Sequence, residues 1–289
     1  MLTGLLRLPS VGRLHITAIA ALGTFTFGWL FTGLHPWLLA GVSALDWTLV
    51  NLLNRVVDLQ EDRVNEIPGT DFVGRHQQGI RRGGLLVLAI SLVLLHPLLG
   101  AVTGLRLTYH ALGLAYNWPL LPGGRRIKQL YFWKNTASAL GFLITVFGYP
   151  LALGLPYPPG IDLSAVVVSM AFFTLFELSY EVIYDLRDVA GDRAAGVRTY
   201  PVVHGVAAAV RIADGLILSS LVVLLGGWIA GSIPWRIAVM GAAPLLQFVI
   251  YKRAITRGIT SRDCVNITWT GVGLLVAFHL WVAAGLPGV

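Results

Sequence analysis

Apolar stretches free of Asp, Glu, Lys and Arg recur along the whole chain, at 14–36, 83–105, 107–124, 135–161, 215–235, 237–250 and 264–289. Several reach the roughly 20 residues that a helix needs to cross a bilayer core. Turn signals divide them: His35-Pro36, Pro119 with Pro122-Gly123-Gly124, the 156–160 Pro/Gly run, and Ile233-Pro234. The pattern predicts nine transmembrane helices near 14–34, 36–57, 84–104, 106–121, 133–153, 163–186, 203–229, 234–253 and 264–286. Arg7 and Arg13 precede a first apolar run longer than a signal-peptide core, so that run reads as an uncleaved first helix. No soluble segment, linker or strong repeat interrupts the series. Residues 1–289 therefore read as one all-α, multi-pass membrane domain.

Composition supports this reading. Hydrophobic residues make up 56% and charged residues 12%, against about 25% charged in an ordinary soluble domain. That is too little charge to coat a soluble enzyme of this size. The net charge of +7 reads as a topology signal, with no nucleic-acid partner expected. If the N-terminus is cytoplasmic and nine helices alternate, 19 of the 21 Lys and Arg residues fall inside, leaving Arg106 and Arg236 outside. Cys264, the single cysteine, excludes an internal disulfide and a multi-Cys metal site, and the seven histidines show no metal-ligand spacing.

The carboxylates are not scattered. Ten of 14 fall in two segments: Asp58, Glu61, Asp62, Glu66 and Asp71 after the second helix, and Glu177, Glu181, Asp185, Asp188 and Asp192 at the end of the sixth. Acidic groups at membrane depth cost about 2.5–3.5 kcal/mol each. Asn54, Asp58 and Asp62 share one helical face, as do Asp185, Asp188 and Asp192. Like charges at such spacing repel unless a hard cation joins them. Carboxylate oxygens suit Mg²⁺ or Ca²⁺, and two facing stripes could hold several ions against a diphosphate. Glu61, Glu66 and Asp71 read equally well as solvated helix-end residues. Asp46 is an isolated intramembrane acid, suited either to orienting an acceptor or to bonding a neighbouring helix. Phe172, Phe176, Tyr180 and Tyr184 form an aromatic row toward the acidic end, fit for lining an apolar chain or for ordinary helix packing.

At these residues the chain resembles the UbiA-type intramembrane prenyltransferases. The first motif reads Asn54-Arg55-Val56-Val57-Asp58-Leu59-Gln60-Glu61-Asp62, and the second Tyr184-Asp185-Leu186-Arg187-Asp188-Val189-Ala190-Gly191-Asp192. The continuation from Gly196 to Gly205 and the patch from Tyr116-Asn117 through Lys128, Tyr131, Lys134 and Asn135 are also similar to the family's. Arg55 stands where many members carry Asp, and Ile67-Pro68 replaces their Arg-Pro pair.

The resemblance implies nine helices around a central cavity and Mg²⁺ held by Asn54, Asp58, Asp62, Asp185, Asp188 and Asp192. It implies ionisation of an allylic prenyl diphosphate and capture of the cation by a small aromatic or quinone-precursor acceptor. Asp58, Asp62, Asp188 and Asp192 would carry catalysis, with Tyr131 and Tyr180 as the aromatics nearest the acidic ends. Asn54 and Asp185 would complete the clamp on the substrate. Lys134 and Arg63 lead the phosphate-binding cations, followed by Lys128, Arg75 and Arg198. The active site would face the cytoplasm, at the inner membrane if the cell is bacterial. Two rival functions exist: a terpene cyclase of the same family acting on the prenyl diphosphate alone, and a divalent-cation transporter. Carboxylates gathered at one membrane end speak against the transporter.

Overall fold

The computed structural model describes residues 11–153 and 161–285. Arg7 and the 156–160 Pro/Gly break lie outside the described residues. Nine helical segments of ten residues or more follow in order among those described. They are α1 (Leu14–Thr32), α2 (Trp37–Val57), α3 (Gln77–Leu95), α4 (Gly100–Asn117), α5 (Trp133–Phe142), α6 (Leu163–Ala194), α7 (Val206–Ile229), α8 (Trp235–Ile255) and α9 (Ser261–Ala283). No named strand occurs among the described residues. Six of these helices, α1, α3, α6, α7, α8 and α9, are long and apolar enough to cross a membrane. Of the other three, α2 carries Asp46 and Arg55, and α4 carries Arg106. Helix α5 is short, passing into a widened turn over Leu143–Gly148 and a last turn at Tyr149–Leu151. The protein is an integral, multi-pass membrane protein.

Helix ends follow local chemistry. Gly33 closes α1 in the left-handed region at φ 72°, where a residue without Cβ is least strained. Thr260 and Asp263 form a reciprocal capping box at the start of α9. At Gly28 an added Cβ would lie 2.6 Å from Pro36 and 3.2 Å from Pro150, so only glycine allows α1 to approach this closely. Phe27, Phe31, Phe147 and Tyr149 fill the shared core beside it.

Two helices are displaced along the chain from their predicted bounds. The third and fourth, expected at 84–104 and 106–121, run Gln77–Leu95 and Gly100–Asn117. Pro97 follows α3 and cannot continue it, whereas Gly83 and Gly84 are absorbed within it. Arg106 therefore does not lie in an outer loop. It is a buried residue of α4, at 1% exposure, and its guanidinium grips Asp46 in a bidentate pair of 2.9 and 2.7 Å. His110 Nε2 lies 2.9 Å from the same carboxylate, and Tyr149 Oη donates to it at 2.9 Å. Asp46 is thus a crosslink between α2, α4 and the end of α5. Of its two readings from sequence, bonding to neighbouring helices is the one seen.

The sixth helix was expected to stop near 186 but runs 32 residues to Ala194, roughly 48 Å. All of the second motif is consequently helical. The first motif is not on one helix: α2 ends at Val57 and a short helix, Leu59–Val64, begins after Asp58. Backbone bonds from Asp58 N to Asn54 O (2.9 Å) and Asp62 N to Asp58 O (2.8 Å) preserve the four-residue register across the bend.

Candidate functional site

The ends of α2 and α6 bring both aspartate motifs to one end of a cavity of about 670 Å³, within the usual range for ligand pockets. Asn54, Asp58, Asp62, Asp185, Asp188 and Asp192 all line it. So do Lys128, Lys134 and Tyr180. The aromatic row Phe172, Phe176, Tyr180 and Tyr184 faces the same space, with Phe172 stacked on Phe176 and Phe176 edge-on to Tyr180.

Each motif aspartate meets a cation. Lys128 Nζ donates to Asp58 Oδ1 at 2.5 Å and also bonds Glu61, and Arg126 reaches Asp58 (3.3 Å) and Glu61 (3.0 Å). Arg55 Nε sits 2.9 Å from Asp62, and Arg13 lies 3.8 Å from it. Lys134 spans the second motif, donating to Asp185 at 2.5 Å and Asp192 at 3.1 Å, while Asn135 holds the other Asp185 oxygen at 2.9 Å. Arg187 Nε donates to Asp188 at 2.7 Å. Burial pushes the Asp58 carboxyl up from its usual range; Lys128 opposes this, and nearby Glu61 adds to it.

Sequence reasoning missed several of these partners. Glu61 is a cavity residue held by two cations, so solvated helix end is the wrong description for it; Glu66 and Asp71 stay outside the lining. Arg126 follows a Gly-rich turn and had looked like a topology marker. Arg55 sits seven residues before Asp62, close to two helical turns, a spacing that could have suggested the pair. Conversely, Tyr131, Arg63, Arg75 and Arg198 do not line the cavity. Tyr131 Oη lies 2.5 Å from His204 Nε2, its ring stands edge-on to Tyr200, and Arg198 lies over its face at 5.9 Å.

Whether this end suits a hard cation can be judged from its donors. They are almost all carboxylate oxygens, joined by Asn54 Oδ1, which is buried without a hydrogen-bond partner. No group of three or more His, Cys, Asp or Glu is preassembled around one point among the described residues. Mg²⁺ does not need such a cage, since it commonly binds through one or two carboxylates plus substrate phosphate oxygens. The residues fit that ion.

The two aspartate motifs thus converge beside an aromatic-lined cavity within a helical membrane domain. Residues 14–270 match the UbiA prenyltransferase family, and the chain belongs to it. A hop (Humulus lupulus) 2-acyl-4-prenylphloroglucinol 6-prenyltransferase is 24% identical over 218 residues, covering 71% of this chain; the chain spans half of that protein's length. Digeranylgeranylglyceryl phosphate synthase of Methanothermobacter thermautotrophicus is 26% identical across 93% of this chain and 92% of its own. A UbiA homologue from Archaeoglobus fulgidus, solved with GPP and Mg²⁺, shares the fold at a TM-score of 0.70 and 14% identity, covering 96% of this chain and 99% of its own.

Proposed function

We propose that the protein is an Mg²⁺-dependent transferase that ionises an allylic prenyl diphosphate and passes the prenyl group to a small acceptor. The observation that carries this reading is the meeting of both aspartate motifs at one end of one aromatic-walled cavity. Relatives named for prenyl transfer, and the neighbour solved with GPP and Mg²⁺, support it.

Asn54, Asp58, Asp62, Asp185, Asp188 and Asp192 would hold Mg²⁺. When bound, the metal neutralises charge developing on the leaving diphosphate. Lys128 and Lys134, now on Asp58 and Asp185, stand ready to take remaining phosphate oxygens. The apolar tail lies along Phe172, Phe176 and Tyr180, whose ring faces stabilise positive charge at the severed carbon. Aromatic acceptors and quinone precursors suit the cavity's size. In this reading the acidic end faces the cytoplasm, with the N-terminus on the same side and, in a bacterium, the inner membrane as host, as the bias of Lys and Arg suggests.

The test is incubation of purified protein with Mg²⁺, labelled geranyl, farnesyl or geranylgeranyl diphosphate, and an acceptor panel. Prenylated acceptor is the expected product, and full turnover in excess EDTA overturns the reading. A terpene hydrocarbon or alcohol formed without acceptor would identify the cyclase instead.

A further inference from the structure

Beyond the aspartates, the cavity contains polar groups that this mechanism leaves idle. Glu177 lines it at 9% exposure, with no hydrogen-bond or ion-pair partner among the described residues. Eight residues separate it from Asp185, so it stands about 12 Å deeper along α6. Across the cavity on α2, Asn51 precedes Asp58 by seven residues and lies about 10 Å deeper. Its Nδ2 is buried and unpartnered, and it too lines the cavity. Glu181, between Glu177 and the motif, is already engaged by Ser138 Oγ at 2.7 Å. Buried polar groups are rarely left unpaired without a reason. Here two of them, one a hydrogen-bond acceptor and one a donor, line the same cavity, each about two turns before the first aspartate of its own motif.

The cations of the cavity lie elsewhere. Arg13, Arg55, Lys128, Lys134 and Arg187 are all on motif carboxylates or Glu61, and Arg262 is exposed at the start of α9. An acceptor carboxylate seated beside Glu177 would find no counter-ion among these cations, at a large cost inside the membrane. A hydroxyl would meet what it needs, since it can donate to Glu177 and accept from Asn51.

We infer that Glu177 and Asn51 form the acceptor's hydroxyl-binding subsite, that Glu177 takes the acceptor's proton, and that the acceptor's reacting end is an uncharged, hydroxyl-bearing group. This rests on the prenyl-transfer reading. In the step, the bond from prenyl C1 to the diphosphate oxygen breaks, and both its electrons leave with the diphosphate. The acceptor's nucleophilic atom bonds to C1, and the proton displaced from the acceptor passes to a Glu177 carboxylate oxygen.

The experiment uses the full chain in detergent and reads melting temperature, then transfer. Probes are 1,3,5-trihydroxybenzene and 1-O-octadecylglycerol as neutral hydroxyl ligands. The comparators are 1,3,5-trimethoxybenzene, which lacks O–H, and 2,4,6-trihydroxybenzoate, which adds a carboxylate. At least one neutral hydroxyl probe should raise the melting temperature while both comparators do not. A shift from neither neutral probe, or an equal shift from a comparator, overturns the inference. Glu177→Gln keeps the volume, and should abolish the probe's shift and lower transfer on the order of 100-fold. It should leave the shift caused by geranyl diphosphate with Mg²⁺ unchanged, and Asn51→Ala should weaken the probe's shift likewise. Loss of the geranyl diphosphate shift in Glu177→Gln would place Glu177 in the diphosphate site and overturn the assignment. Absence of that shift in the unaltered protein would defeat the prenyl-transfer reading itself, a separate result.

Discussion

The side-chain oxygen of Asn65 accepts a hydrogen bond from the backbone N–H of Gly191 at 3.1 Å. This contact joins the segment after the first aspartate motif to the helix that carries the second. It requires a glycine, because a Cβ at 191 would overlap the Asn65 amide.

Gly191→Ala should therefore push the motifs apart without touching a proposed metal ligand. The expected loss is about 10- to 100-fold in kcat, with normal membrane yield. Asn65→Ala removes one hydrogen bond, worth about 1 kcal/mol, and should cost less. Because the two changes disrupt one contact, the double variant should be no worse than Gly191→Ala alone. Independent, additive losses would show that the contact does not set motif spacing.

Charge-neutral substitutions separate ligands from bystanders. Asp58→Asn and Asp192→Asn keep volume and remove a charged oxygen facing the cavity. By analogy with losing one preorganised charge-stabilising donor, each should lower turnover by at least 10² to 10³. Glu66→Gln and Asp71→Asn, outside the lining, should keep most activity. Glu61→Gln should fall between, since it frees Lys128 and Arg126 from one of their partners. Initial rates at saturating Mg²⁺ decide the order.

Removing one partner of the buried Asp46–Arg106 pair should be a stability lesion. Arg106→Met takes the bidentate cation from buried Asp46 and leaves it only His110 and Tyr149, and loss of one member of such a pair costs about 3–5 kcal/mol. The double change Asp46→Leu with Arg106→Met should recover much of it. Thermal unfolding in detergent measures both, and a melting temperature unchanged in Arg106→Met would refute the crosslink.

Tyr131 offers a negative control. Its hydroxyl faces His204 outside the cavity, so Tyr131→Phe should retain most turnover. Lys128→Met should lose on the order of 100-fold or more, because it strips the buried Asp58 of its nearest cation. A severe defect in Tyr131→Phe alone would return this tyrosine to the site.

Membrane orientation has its own readout. With Cys264 replaced by Ser, single cysteines placed after Arg82 and after Arg193 should both be labelled by an impermeant thiol reagent only from the cytoplasmic side, and one at Gly231 only from the opposite side. A split between the first two would contradict the shared acidic end.

The site's acidic half was legible because its spacing repeats a helical period. Asn54, Asp58 and Asp62 keep their register even across the bend at Asp58, and Asp185, Asp188 and Asp192 lie on one unbroken helix. Its basic half was less so. Lys128, Arg126 and Arg13 reach the aspartates from other segments, and in a membrane protein every cytoplasmic Lys or Arg already has an explanation in topology. Lys134 was anticipated as a phosphate ligand, but its grip on Asp185 and Asp192 depends on how α5 meets α6. The Asp46–Arg106 pair was hidden for a simpler reason. Overlooking Pro97 displaced α3 and α4 along the chain, leaving Arg106 between helices where it seemed to face water. The aromatic row was visible as a spacing, but whether it faced lipid or cavity depended on the rotation of α6.

The mutual neutralisation of aspartates and cations has a thermodynamic consequence. Every proposed metal ligand is already partnered to a lysine, arginine or asparagine, apart from the amide oxygen of Asn54. Metal alone would have to displace ammonium and guanidinium groups that then have nowhere to go, and diphosphate alone would confront the carboxylates. Entering together, each supplies the partner that the other displaces. Occupancy should therefore be linked: each ligand raises the apparent affinity for the other by the same factor. Without them, the carboxylates and cations of the acidic end neutralise one another.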